Sequence, residues 1–152
     1  MSLLTKPACY AACLAYVHAR LDAARAGMAA AQESSNSETK SSAGDKYETG
    51  REMANQERDR QAAQLQEAQQ QLADLQKLNP ALPCDAVRLG ALATTSLGAF
   101  YVSVAAGRLR TAEGLEFAAV SGGAPLMQAL AGQQAGAEVA FNGRPVRIEA
   151  VS

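Results

Sequence analysis

The chain has 152 residues, of which 48% are apolar, and a formal net charge of −1. This size and composition allow a buried core, and the near-zero charge gives no basic face for direct, sequence-specific nucleic-acid binding. No apolar run reaches the roughly 18 residues of a membrane span, and the N-terminus lacks the apolar core of a signal peptide, so we expect a cytoplasmic protein without membrane contact.

The cysteine and histidine content argues against a metal site. The chain has three cysteines, Cys9, Cys13 and Cys84, and one histidine, His18. Cys9 and Cys13 lie one helical turn apart, where two thiols pack more readily than they bridge. A site built from these two residues and His18 would lack a fourth ligand. We therefore expect reduced thiols and no cofactor.

Apolar residues in the first half recur with alternating gaps of four and three, the pattern of a coiled-coil seam. On the first predicted helix the seam residues are Tyr10, Leu14, Val17, Leu21, Ala24, Met28 and Ala31. On the second they are Tyr47, Ala54, Gln61, Leu65, Ala68, Leu72 and Leu75, with Arg58 as a polar interruption. We predict one helix from about Pro7 to Gln32 and another from about Lys46 to Leu78. Prolines end the second helix within the connector, residues 80–84.

The two seams fit an antiparallel hairpin, because the position numbers of facing residues add to a nearly constant value. The facing pairs are Leu14 with Leu72, Val17 with Ala68, Leu21 with Leu65, Ala24 with Gln61, and Ala31 with Ala54. This register puts the reversal at Ser42 or Ala43, and Gly44 next to it tolerates positive φ. A helix of about 30 residues is roughly 45 Å long, so residues 1–79 are predicted to carry a polar tip loop, about 34–46, far from their base.

The tip is rich in charge, and its acidic residues have more than one interpretation. The acidic residues Glu33, Glu38, Asp45 and Glu48 alternate with the basic residues Lys40, Lys46 and Arg51. A solvated loop whose charges aid solubility is one interpretation. A capping box at the start of the second helix, formed by Asp45 and Glu48, is another.

After the connector, alternation with a period of two replaces the heptad pattern. The predicted elements are strands near 87–91, 100–105 and 115–120, a turn at 108–113, a short helix at 125–130 followed by Gly132, and a hairpin of 138–141 and 145–151 around Asn142-Gly143. The predicted fold is α+β, with an N-terminal antiparallel coiled-coil hairpin and a small, mostly antiparallel domain over residues 85–152.

One C-terminal segment carries a family resemblance. Residues 120–132 read Val-Ser-Gly-Gly-Ala-Pro-Leu-Met-Gln-Ala-Leu-Ala-Gly, and Gly136, Glu138-Val139, Asn142-Gly143 and Ile148 follow. With the hairpin and its tip sequence Asp45-Lys46-Tyr47-Glu48, nearly the whole chain resembles the Gre transcript-cleavage factors of bacteria. The resemblance implies an FKBP-like C-terminal domain and binding to RNA polymerase through its secondary channel. Its polymerase-docking candidates in that domain are Ser121, Pro125, Leu126, Leu130 and Gly132.

The tip departs from the pattern of that family. There, two acidic tip residues help to hold a Mg²⁺ ion and a water for the polymerase's own hydrolysis of backtracked RNA, in the motif acidic, two residues, acidic, Asn-Ala-Glu-Tyr. With Tyr47 aligned, the acidic positions fall on Lys40 and Ala43, which supply no oxygen ligand for Mg²⁺. The remaining Mg²⁺-directed candidates are Asp45, Glu38 and Glu48. The rest of the tip consists of Lys40, Ser42, Ala43, Gly44, Lys46 and Tyr47.

The sequence therefore favours a monomeric regulator of RNA polymerase without catalytic residues of its own, whose only metal would be Mg²⁺ shared with the polymerase. A non-cleaving competitor for the same site is the first alternative. The second is an FKBP-like prolyl isomerase, for which the available aromatic residues are Phe100, Tyr101, Phe117 and Phe141. The third is a coiled-coil adaptor, although the outward positions of the second helix are largely Gln, Glu, Arg and Asp.

Overall fold

The computed structural model describes residues 3–39 and 44–152, and its description of residues 35, 37–39 and 44–48 is limited to the backbone. In this part of the chain, two long helices precede a mixed six-stranded sheet with one short helix, which confirms the predicted α+β class. The elements are α1 (Lys6–Thr39), α2 (Gly44–Gln76), β1 (Leu92–Thr95), β2 (Gly98–Val102), β3 (Gly107–Arg110), β4 (Glu116–Val120), α3 (Pro125–Leu130), β5 (Glu138–Phe141) and β6 (Arg144–Val151).

The chain divides into two compact units. The sheet unit comprises Met1–Tyr16 and Ala73–Ser152, so it combines the start of α1 and the end of α2 with the whole sheet. The hairpin unit comprises Val17–Leu72, the remainder of the two long helices. The domain boundary at residues 80–84 that the sequence indicates stays a prediction.

In the hairpin unit, the two helices pack antiparallel along the predicted seam. The most buried seam residues are Val17, Leu21, Ala24, Ala31, Ala54 and Ala68. Arg20 of α1 contacts Glu67 of α2, whereas Gln32, further along α1, contacts Arg58, which comes earlier in α2. As residue numbers rise along α1, the numbers of the contacting residues in α2 fall. The two helices are therefore antiparallel, and the predicted hairpin is confirmed.

Both helices reach further toward the tip than the sequence predicts. α1 runs to Thr39 instead of Gln32, and α2 begins at Gly44 instead of Lys46. The Ser, Asn and Thr residues at the end of α1 disfavour a helix interior by only about 0.5 kcal/mol each. Extending an existing helix adds a hydrogen bond for each residue fixed, which offsets that penalty. Helix therefore occupies most of the segment for which the sequence predicts a loop.

The sheet has the strand order β3-β4-β2-β1-β6-β5. Its β2–β4 pair is parallel, and the other strand pairs are antiparallel. One face carries Tyr101, Phe117 and Ala119, all buried. The opposite face belongs to a core that α3 covers, made of Val87, Ala93, Val102, Met127, Leu130, Val146 and Ile148. Side chains on both faces of this small sheet are thus removed from water.

The strand predictions near the connector are wrong in position. The first strand is residues 92–95 and not 87–91. Val87 instead exchanges backbone hydrogen bonds with the segment after α3, donating to Gln133 and accepting from Gly132. The predicted turn at 108–113 overlaps β3, which pairs with β4 from Gly107 to Arg110. Long-range pairing decides both cases, and a short alternating pattern does not contain that information.

Two local predictions in the C-terminal part are confirmed. α3 spans Pro125–Leu130 with proline at its start, and Gly132 follows with a φ of 78°. The β5–β6 hairpin turns at Asn142 and Gly143, whose φ values are 52° and 77°. Two successive positive φ angles are typical of a type I′ turn, which Asn-Gly favours.

Candidate functional site

The predicted tip residues lie at both helix ends and in the segment between them. Glu38 is in the last turn of α1, and the segment from Gly44 to Glu48 forms the start of α2. Lys40, Ser42 and Ala43 lie outside the described residues. Asp45 is inside α2 and not before it, a position at which an acidic group still complements the helix dipole. The backbone thus brings the predicted tip acids to one end of the hairpin.

The predicted docking residues lie around α3, but they are not equally accessible. Pro125 is exposed at the first position of α3, and Ser121 is partly exposed in the turn before it. Leu130 is 0% exposed and belongs to the core, and Leu126 packs partly against the same core. Leu130 is therefore the least accessible of these candidates, because a fully buried side chain does not reach a partner without a change in packing, and the docking role of the set stays a prediction.

An open groove of about 470 Å³ lies between the segment after the connector and α3. Its lining consists of Ala86, Val87, Arg88, Leu89, Val102, Gly122, Met127, Ala131 and Gly132. We call it the α3 groove. Leu89 at its edge is 61% exposed, so its side chain extends the apolar surface of the groove toward solvent. The sequence did not mark Leu89 as functional, because the alternating pattern assigned it to a strand.

The hairpin unit has a groove of its own near its distal part. Small residues, one exposed methionine and one glutamate line about 500 Å³ of space: Gly27, Ala30, Ala31, Ser34, Gly50, Met53, Ala54 and Glu57. Met53 is 65% exposed. At Gly27 the helices approach so closely that an added Cβ would lie 2.6 Å from Gln61 Cδ. The small residues therefore permit close packing of α1 on α2.

The aromatic residues considered for a prolyl-isomerase pocket do not converge. Tyr101 and Phe117 are buried on one face of the sheet. Phe100 and Phe141 pack against the core on the opposite face. An open cleft of about 210 Å³ touches Phe100 and Phe117, and its rim carries Arg108 and Glu116. An aromatic-lined pocket needs side chains on one wall, which this arrangement does not provide.

The base of α1 packs its two thiols against the sheet within the sheet unit. Cys9 and Cys13 are 0% exposed, and Cys13 Sγ lies 3.7 Å from Ser103 Oγ. Burial raises the pKa of Cys9 to about 12, and it raises the pKa of Cys13 as well. Burial together with the neighbouring thiols raises the pKa of Tyr101, whose hydroxyl bonds to no atom of the described residues. These groups form a neutral core at ordinary pH.

Over residues 3–39 and 44–152, no three His, Cys, Asp or Glu side chains are grouped closely enough to hold a metal ion. Within the same residues, no helix combines the length and apolar character needed to span a bilayer.

Comparison with known proteins gives one similar structure. No family model matches the chain, and no curated protein matches it. A solved structure described as "Structure of the transcription factor Gfh1" is similar over 97% of this chain and 95% of its own, with 20% sequence identity and a TM-score of 0.32. At this degree of similarity the match carries no argument about function.

Proposed function

We propose that the protein binds RNA polymerase and modulates transcription with its hairpin tip in the secondary channel of the enzyme. The observation that carries the proposal is the placement of the tip sequence. Glu38 near the end of α1 and Asp45 at the start of α2 lie on either side of residues 40–43. The second support is the Gre-like sequence of residues 120–132. This segment forms a turn and α3 and belongs to the sheet unit, so the resemblance extends beyond the hairpin.

The mode of action that the residues favour is occupancy of the channel. Lys40 and Ala43 stand where the Gre pattern has its two acids, so the usual Mg²⁺ ligands are missing from the tip. Lys40 and Lys46 bring positive charge that competes with a metal for the carboxylates of the polymerase. The protein then acts as a competitor of genuine cleavage factors and has no active site of its own. This proposal includes a cytoplasmic, monomeric protein and an FKBP-like sheet domain.

The α3 groove is the proposed docking face of the sheet unit for the polymerase. It combines an apolar lining with the exposed Leu89 and with backbone from the predicted docking segment. Leu89→Asp places a charge at the edge of the groove without changing a buried position. Leu97→Asp is a matched control, because Leu97 is 55% exposed and lines a different cleft. We expect only Leu89→Asp to weaken binding, and equal effects of the two variants would refute docking at this groove.

The experiment for the tip uses purified polymerase of the source organism in backtracked elongation complexes. We expect the wild-type protein to bind, to compete with a genuine Gre factor and to stimulate transcript cleavage feebly or not at all. Asp45→Ala is expected to leave binding and competition intact, because occupancy does not need that carboxylate. Asp59→Ala is the charge-matched control, since the Asp59 side chain is 74% exposed and lies elsewhere on α2.

Two outcomes would contradict the proposal at different levels. Absence of binding at micromolar protein would refute polymerase as the partner. Robust cleavage that Asp45→Ala abolishes and Asp59→Ala leaves intact would keep polymerase as the partner but refute occupancy, because it would show that the tip delivers a carboxylate.

A further inference from the structure

A lysine amine and a cysteine thiol meet at the start of α1. Lys6 is the first residue of α1 and is 6% exposed, and Cys84 in the connector is 9% exposed. Lys6 Nζ lies 3.7 Å from Cys84 Sγ and also donates a hydrogen bond to the carbonyl of Leu82. Arg88 Nε also donates a hydrogen bond to this sulfur, at 3.4 Å. Cys84 therefore has two cationic donors, one of which is a primary amine.

The other two thiols have a different environment. Cys13 has a neutral partner, the hydroxyl of Ser103, and burial raises the pKa of both Cys9 and Cys13. A cysteine reacts with peroxides as its thiolate, and the oxidised sulfur of Cys84 would form directly beside the Lys6 amine. The residues just before Cys84, Ala81 to Pro83, are exposed, so a small oxidant has a short path to this sulfur. Cys84 is therefore the thiol that combines a neighbouring amine with access from solvent.

We propose that hydrogen peroxide joins Cys84 to Lys6 through a covalent S–N bond. The Cys84 thiolate first attacks the peroxide, the O–O bond breaks, and the products are the sulfenic acid and hydroxide. Hydroxide takes one proton from the Lys6 ammonium and forms water. The neutral amine then attacks the sulfur and displaces the sulfenic oxygen, which leaves as a second water after taking another proton from the nitrogen. A sulfenic acid condenses with a backbone nitrogen in the same way, and a primary amine is the better nucleophile.

The overall balance requires no further reagent. One thiolate, one ammonium and one hydrogen peroxide give one S–N bond and two water molecules, and the sulfur loses two electrons to the peroxide. A reducing thiol reverses the reaction and restores Cys84 and Lys6. The link ties the first turn of α1 to the connector and closes a long loop of chain between residues 6 and 84. Such a closure restricts the unfolded chain, so the oxidised protein unfolds at a higher temperature.

The test is peptide mapping of the full chain after treatment with hydrogen peroxide, without added reductant. We expect a fragment in which Lys6 and Cys84 are joined, lighter by two hydrogen atoms than its two parts together. Dithiothreitol should release it. The thermal midpoint of unfolding should rise on oxidation and return on reduction. Lys6→Arg retains the cation without the amine, and Lys77→Arg is its matched control at an exposed lysine.

Each outcome of this test decides the matter. Loss of the link and of the rise in thermal midpoint in Lys6→Arg, with both kept in Lys77→Arg, supports the proposal. A disulfide from Cys84 to Cys9 or Cys13 has the same mass loss but survives in Lys6→Arg, and it would overturn the proposal. A sulfenic or sulfinic acid at Cys84 of the wild type without any link, or a link that retains oxygen, would also overturn it. The mapping of the wild type gives these answers even if Lys6→Arg fails to fold.

Discussion

The contact between Gly27 and Gln61 provides a quantitative test of how α1 packs on α2. Gly27 lies inside α1, where replacement by alanine gains about 1 kcal/mol of helix propensity. The new Cβ would lie 2.6 Å from both Cδ and Oε1 of Gln61 and 2.8 Å from its Cγ. Gln61 must then rotate and give up its 2.9 Å hydrogen bond to Glu57, at a loss of about 1 kcal/mol. Gly27→Ala should therefore change the free energy of unfolding by close to zero.

In a Gln61→Ala background the same substitution meets no glutamine side chain. Gly27→Ala should there stabilise the protein by about 1 kcal/mol, which gives a coupling energy of about 1 kcal/mol between the two positions. The assay is urea unfolding of the four proteins of the cycle, followed by far-ultraviolet circular dichroism, whose signal comes mainly from α1 and α2. Equal stabilisation in both backgrounds would refute the facing of Gly27 and Gln61 and with it the register of the hairpin.

Three further predictions follow from other contacts. Arg20 bonds to Gln71, Gln64 and Glu67 across the hairpin, so Arg20→Ala should lower the free energy of unfolding by about 1 to 2 kcal/mol. Arg25 pairs only with Asp22 of its own helix among the ion pairs described, and both side chains are exposed. Arg25→Ala should therefore change the free energy of unfolding by less than about 0.5 kcal/mol in the same urea assay. Gly143→Ala should lower the free energy of unfolding, measured by thermal unfolding, by about 1 kcal/mol, because Gly143 has a φ of 77°. Gly123→Ala is the control and should change this free energy little, because Gly123 has an ordinary φ and a Cβ there would meet no atom closer than 4.0 Å. Burial raises the pKa of Cys9 from its usual 9.0 to about 12 in the fold. Below pH 9 the thiol is therefore neutral in both states, and above pH 9 the unfolded state loses its proton first. Between pH 9 and pH 12 the free energy of unfolding should therefore fall with rising pH, by up to about 1.4 kcal/mol per pH unit from this group. The fall should be shallower in Cys9→Ala. Equal slopes in the two proteins would contradict a protonated Cys9 in the fold.

Several elements of this protein were predictable because their signals are local. The heptad seam of α1 and α2 repeats over many turns, so its period identifies the helices and their register together. Pro125 at the start of α3 and Asn142-Gly143 between β5 and β6 each encode a backbone conformation in one or two residues. The tip sequence was also visible, because it is contiguous along the chain.

Other features were decided by tertiary structure, because they join segments distant in sequence. The position of β1 depends on Val87 pairing with residues after α3, and β3 exists because β4 is beside it. The α3 groove combines Leu89 with Met127, and the pair of Lys6 with Cys84 spans most of the chain. A short sequence pattern reports only the conformation that its own residues prefer, whereas burial, shared hydrogen bonds and thiol environment depend on which distant neighbours the fold supplies.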